Sequence, residues 1–289
     1  MACNPSKGVY LIFVGTTISS NWHISSYRRK WQLRELKTTS PKMCPPTLLS
    51  TLEEPSPQGP TNPPHETADI LPACIPRDGL CISAYNLARA NLPLAILNHS
   101  LRVYVYATKL AQHQGSIYVY ENNYTSDKHF LLTVACILHD VGCAARFDGP
   151  QRFEVEGADA AKAHVLSFER SEQEAHDVWV AIACHTSPHI AEKISPLAYL
   201  VRVAVLFDFR ETRRLSGQGG DDPMEVLSEE LRREVEGEFL RLELEKMLGD
   251  VVVEQARRQR GKAPAASWPG ILLRAAEEEP EWEFVNKAF

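Results

Sequence analysis

The sequence predicts an all-α protein, on three observations. From about Ser83, apolar residues recur at the i, i+3/i+4 spacing of a buried helix face almost to the end of the 289-residue chain. No run alternates with period two over a convincing strand length, and there is no internal repeat. Ten of the nineteen prolines fall between Pro41 and Pro76, where fixed φ and missing N–H donors exclude helix and central strand.

Taken in order, residues 1–69 read as a disordered, proline-rich N-terminal extension, or as the product of a start codon placed too early, with Met43 opening a second plausible start. Their Ser/Thr-rich, basic composition also has something of a mitochondrial transit peptide. The domain proper is expected over 70–289, with a C-terminal helical extension. Helices are expected at about 98–112, 127–141, 155–169, 172–186 and 196–209. The last of these starts with Pro196 in the first turn after Ser195. A long charged helix is expected from about 223 to 258, and a short one at about 269–277.

Charge and cysteine usage narrow the setting. Residues 1–43 carry seven Lys/Arg against Glu35 alone, so the remaining chain holds a net charge of about −12. An acidic body offers no electrostatic footprint for nucleic acid or an anionic membrane. Seven cysteines without close paired spacing argue against a disulfide framework and a CxxC zinc site, and suit reduced thiols in the cytoplasm. The apolar run Val9–Val14 is too short for a signal-peptide core, and no segment approaches the roughly 20 apolar residues of a membrane span.

The chemistry concentrates in "LLTVACILHDVG", residues 131–142, where a run that should be buried ends on His139 and Asp140. Alone, such a pair reads as a helix C-terminus, where histidine complements the dipole. It is not alone. His99 opens one apolar stripe, His185 closes another, and Asp208 follows "LVRVAVLF", where an ionised carboxylate is costly unless paired or bound to a cation. Their convergence in one helical domain points to a shared cation. Two neutral imidazoles and two carboxylates balance a divalent ion, and N/O ligation suits Zn above all, with Fe or Mn as alternatives.

The order His99, His139-Asp140, Asp208 resembles the H…HD…D signature of the HD-domain metalloproteins. The stretches "NHSLRVYVYATKLA", "RFEVEGADAA", "VAIACHTS" and "LVRVAVLFDF" are similar to the cyanamide hydratase-like branch found in fungi, as are the later "KAPAASWPGILLRA" and "PEWEFVNKAF". The resemblance implies an HD helical bundle holding one metal through His99, His139, Asp140 and Asp208. It further implies hydration of cyanamide or a related small nitrile. Glu154 and His185 fall where that branch carries a glutamate and a histidine, and either would carry the proton that nitrogen receives as water adds to carbon. Glu154 reads equally well as an N-terminal helix cap or a surface acid, Glu156 as a solvated residue and His189 as a loop residue.

One departure bears on the substrate. Phosphodiesterase-type members often place Gly-Lys after the HD pair, whereas "HDVGC" puts Cys143 there, removing a cation that a phosphate would want. Arg146 and Arg152 nearby keep a nucleotide phosphohydrolase as the alternative, and a metal-stabilised module without turnover is the third reading. A small-molecule substrate is expected, no nucleic-acid or membrane partner, and a homo-oligomer is left open.

Overall fold

A computed structural model describes residues 71–121, 124–125, 128–211 and 223–289. The expected N-terminal extension over 1–69 lies outside the described residues. The architecture is all-α, as its periodicity predicts. Among the described residues the one exception is a hairpin of two-residue strands, β1 (Tyr120–Glu121) and β2 (Tyr124–Thr125), with Tyr120 opposite Thr125, too short to register as alternation.

Helix α1 (Gly79–Asn91) begins where Asp78 accepts a hydrogen bond from the Cys81 amide at 2.9 Å, satisfying one of the free N–H groups of the first turn. Helix α2 (Leu94–His113) follows after Pro93. Helix α3 (His129–Leu138) lies at the centre of the described helices, every residue from Phe130 to Leu138 being buried. Full burial of each large apolar side chain contributes about 1.5–3 kcal/mol, so this helix is apolar all round rather than striped.

Around α3 pack α1, α2, α5 (Glu172–Cys184) and α7 (Pro196–Asp208), while α4 (Phe153–Leu166) lies along α5. Ser171 and Glu174 close a reciprocal capping box at the start of α5. Ser195 caps α7 with Pro196 in its first turn, as the sequence predicts. A one-turn helix, α6 (Ala191–Ile194), joins α5 to α7.

The long helix expected over 223–258 is two helices, α8 (Glu229–Glu238) and α9 (Leu244–Arg258). Between them Leu242 and Glu243 take left-handed backbone with φ of 51° and 54°. The cause is tertiary. Arg102 Nη1 donates to the Phe239 and Leu240 carbonyls at 2.9 and 3.3 Å, and Asn98 Nδ2 to that of Leu240 at 2.9 Å. Those carbonyls are drawn out of the helical ladder by buried donors on α2. Helix α10 (Trp268–Glu278), capped by Ser267, packs on α9. None of the helices among the described residues is long and apolar enough to cross a membrane.

One glycine is required by close approach. A Cβ on Gly142 would lie 1.9 Å from the Phe153 carbonyl oxygen and 2.7 Å from the Gly157 amide nitrogen. The turn after the HD pair therefore touches α4 backbone to backbone. Gly142→Ala is expected to cost at least the upper end of the about 1–3 kcal/mol typical of overpacking, because neither neighbour is a movable side chain. A lowered denaturation midpoint at unchanged m checks it.

Candidate metal centre

Four helices bring their ends or faces to one point. His99 sits in the second turn of α2, fully buried. His139 is the C-cap of α3 and Asp140 the residue after it. His185 is the C-cap of α5, and Asp208 the last residue of α7. Carboxylates at helix C-termini meet the negative end of the dipole, which disfavours them unless a cation is near.

The histidine tautomers follow from their partners. His139 Nδ1 lies 2.7 Å from the Cys136 carbonyl and His185 Nδ1 lies 2.6 Å from that of Ile182. A carbonyl only accepts, so each Nδ1 donates, and each ring bonds to a carbonyl in the last turn of its own helix. His99 Nδ1 donates to Asp208 Oδ2 at 2.7 Å. With Nδ1 occupied, each ring turns Nε2 inward, where it offers a lone pair when the imidazole is neutral.

Those lone pairs face one another and an anion. His99 Nε2 and His139 Nε2 are 3.1 Å apart, and Asp140 Oδ2 lies 3.2 Å from the second and 3.6 Å from the first. Asp140 Oδ2 is buried and has no hydrogen-bond partner. As bare acceptors these three atoms would repel one another, and a cation among them relieves that repulsion. The spacing suits one: ligands about 2.0–2.1 Å from a tetrahedral ion lie about 3.3 Å apart. The residues present fit a divalent metal, and His99, His139 and Asp140 form the trio that would hold it.

The other predicted site residues are placed as follows. His185 joins the cluster from the far side, its Nε2 3.5 Å from Asp140 Oδ1 and its ring 5.0 Å from that of His139. Asp208 stands behind His99 and outside the trio, with both oxygens engaged. Arg102 Nε donates to Oδ1 at 2.7 Å and Nη2 to Oδ2 at 2.8 Å, the latter oxygen also taking the His99 bond. Burial would raise the Asp208 carboxyl, but the Arg102 and His99 hydrogen bonds overturn that and hold it below the ordinary range.

Glu154 is fully buried in the first turn of α4. It accepts from Arg152 at 2.5 and 3.3 Å and from the Thr186 hydroxyl at 2.6 Å. It meets the space around the metal trio through those two residues, which line it. His189 is exposed in a turn at φ 62°, and Glu156, half-buried, accepts from the Gln151 amide. Burial pushes the Cys143 thiol well up, with the Asp140 and Glu154 charges adding to it, so it stays a neutral, packed side chain.

A cavity of about 740 Å³ opens onto His99, His139, Asp140 and His185. Arg152 and Arg202 reach its wall, each already bonded. Arg152 holds Glu154, and Arg202 donates to Glu192 at 3.1 Å and to the His185 carbonyl at 3.0 Å. A second cluster, Asp78, Cys81 and His129, lies elsewhere at the start of α1. Its Asp78 oxygens are taken by the Cys81 amide and by His129 Nε2 at 3.0 Å, an N-cap with a side-chain hydrogen bond.

The family model for the HD domain matches residues 96–207, which span His99 through α7. The chain contains an HD domain. That domain carries the metal trio in the order of its signature and implies metal-dependent chemistry of the hydrolase type. No curated protein matches the chain.

The Arg102 clamp escaped the sequence reading, although the signal was present: an arginine three residues after His99 on the same apolar stripe must find a buried partner. Phe209, Trp268 and Phe289 fall within stretches that carry the family resemblance, but nothing in the sequence says that they face a cavity rather than the core.

Proposed function

We propose that the protein adds water to a small neutral nitrogenous substrate, cyanamide or a related nitrile, at one divalent ion, zinc by preference, held by His99, His139 and Asp140. The observation that carries the choice of substrate charge is the state of the cavity's arginines. A phosphate would have to displace Glu154 from Arg152 or Glu192 from Arg202. It would also meet Glu211 and Glu245 on the wall. A neutral substrate meets neither cost.

A divalent ion in such a site lowers the pKa of its bound water toward about 7. The chain's residues then have three tasks. Asp208, gripped by Arg102, fixes the His99 ring so that Nε2 points inward, and acts as a positioning residue rather than a fourth donor. His185 is the proton carrier. Its bare Nε2 faces the cavity beside Asp140 Oδ1, which would stabilise the ring once protonated. One proton leaves water as the C–O bond forms and passes to the nitrile nitrogen; the remaining hydroxyl proton then moves from oxygen to nitrogen as the isourea or imidic acid tautomerises, giving urea from cyanamide or an amide from a nitrile. Glu154 holds Thr186 and Arg152 in the wall and reaches substrate only through them.

The test is a purified-enzyme screen of cyanamide and small nitriles beside a nucleotide panel. Urea or amide formation that stops on chelation is the expected result. His185→Gln should retain its metal and lose about 10²–10⁴-fold in turnover, the usual worth of a general acid–base group. Glu154→Gln should retain its metal and lose less. Phosphate release from nucleotides with no nitrile hydration would overturn the reading in favour of a phosphohydrolase.

A further inference from the structure

The cavity is far larger than the substrate that a hydratase of cyanamide would need. At about 740 Å³ it falls within the roughly 300–1,000 Å³ of pockets that enclose whole organic ligands, whereas cyanamide has three heavy atoms. Away from the metal trio one part of its wall is apolar and aromatic, while Arg152, Arg202, Glu211 and Glu245 stand on the rest. Starting from His99, ring contacts run to Phe209 at 4.9 Å, from Phe209 to Phe289 at 5.6 Å, and from Phe289 to Trp268 at 5.5 Å with the planes at 89°. From Trp268 they run to Phe153 at 6.0 Å and from Phe153 to His185 at 5.8 Å. This arc of rings begins at one inward-facing histidine and ends at another, and Phe209, Trp268 and Phe289 line the cavity between them.

The arc is completed by residues beyond the HD match, which ends at residue 207. Trp268 comes from the first turn of α10, and Ile271, 47% exposed, extends the apolar wall toward solvent. Phe289 is seated over α9 at Gly249, where a Cβ would come within 3.0 Å of its ring. Large apolar side chains left facing an open cavity beside a catalytic centre mark a binding surface rather than a core.

We infer that the segment after the HD domain builds a subsite for a flat, neutral, apolar group, and that the natural substrate is an aromatic-bearing nitrogenous compound whose reacting end points at His99 and His139. The inference rests on the reading of the site given above, and deepens it from a three-atom substrate to an aryl-substituted one. Edge and face contacts suit an aromatic ring, each such pair being worth about a 2–10-fold change in affinity beyond its buried area.

The experiment compares benzamide and acetamide, neither requiring turnover, by titration calorimetry on the metal-loaded full chain. Hydration of benzonitrile and of cyanamide is assayed on the same sample. Benzamide is expected to bind at least about tenfold tighter than acetamide. Phe289→Ala and Trp268→Leu should each lower that preference by about 2–10-fold while leaving metal content and helicity unchanged. Phe289 is only half-buried, so its variant separates loss of the subsite from loss of fold. Ala266→Trp, at an exposed position on the rim, should likewise weaken benzamide alone. Equal binding of the two amides, or a preference untouched by all three variants, overturns the subsite. Benzamide preference that falls in the variants, without hydration of either nitrile, supports the subsite and overturns the reaction instead.

Discussion

His139→Ala is expected to leave the protein without a bound divalent ion and to lower its stability by about 3–5 kcal/mol, the cost of leaving the buried Asp140 carboxylate without its cation. His139 supplies one of two inward-facing Nε2 atoms 3.1 Å apart, and its loss removes the imidazole nearest Asp140 Oδ2, which is buried and without a hydrogen-bond partner. Asp140→Ala should release the ion as well. Its stability cost should be smaller, because the buried anion itself is removed. Metal analysis after dialysis, with denaturant midpoints at a common m value, checks both. Wild-type stoichiometry in both variants would show that the trio is not the ligand set.

Arg102→Met is expected to destabilise by about 3–5 kcal/mol or more, for a different reason. The guanidinium is fully buried and has four calls on it: both oxygens of Asp208 and the carbonyls of Phe239 and Leu240. Removing it strands a buried carboxylate, frees the break between α8 and α9, and loosens His99. The pH dependence gives the signature. Asp208 has a folded pKa below its ordinary value of 3.8, so its contribution to stability is present above that value and is lost as pH falls through the folded one. With both proteins kept metal-free by chelator, the gap between wild type and Arg102→Met should narrow as pH falls below about 4. A gap constant with pH would mean that Arg102 acts through packing alone.

The site was legible wherever a residue broke its local pattern. His139 and Asp140 stand at the end of nine buried residues, and Asp208 at the end of an apolar run, so their cost announced a shared purpose. What they share could be read; how they divide it could not. The sequence places Asp208 among the metal residues, but which of its neighbours takes its oxygens depends on Arg102, a contact across 106 positions. Glu154 illustrates the same limit, since its depth behind Arg152 and Thr186 is a product of packing.

The fold followed a similar rule. Helices α3, α4, α5 and α7 lie within a few residues of their expected ranges because their faces repeat regularly and Ser195-Pro196 marks a start. The break at Phe239–Glu243 was hidden, because its residues favour helix locally and are turned out of it only by donors on α2. The aromatic arc was hidden too. Phe209, Trp268 and Phe289 satisfy any apolar position, and nothing in their spacing says that the space between them stays open.

X-ray absorption at the metal edge of the full-length protein tests the central claim most directly. The account predicts about one ion per chain with a shell of nitrogen and oxygen alone at about 2.0–2.1 Å, including scattering from two or more imidazole rings. Absence of bound metal, or a sulfur scatterer at about 2.3 Å, would contradict it, the latter moving the ion to Asp78, Cys81 and His129.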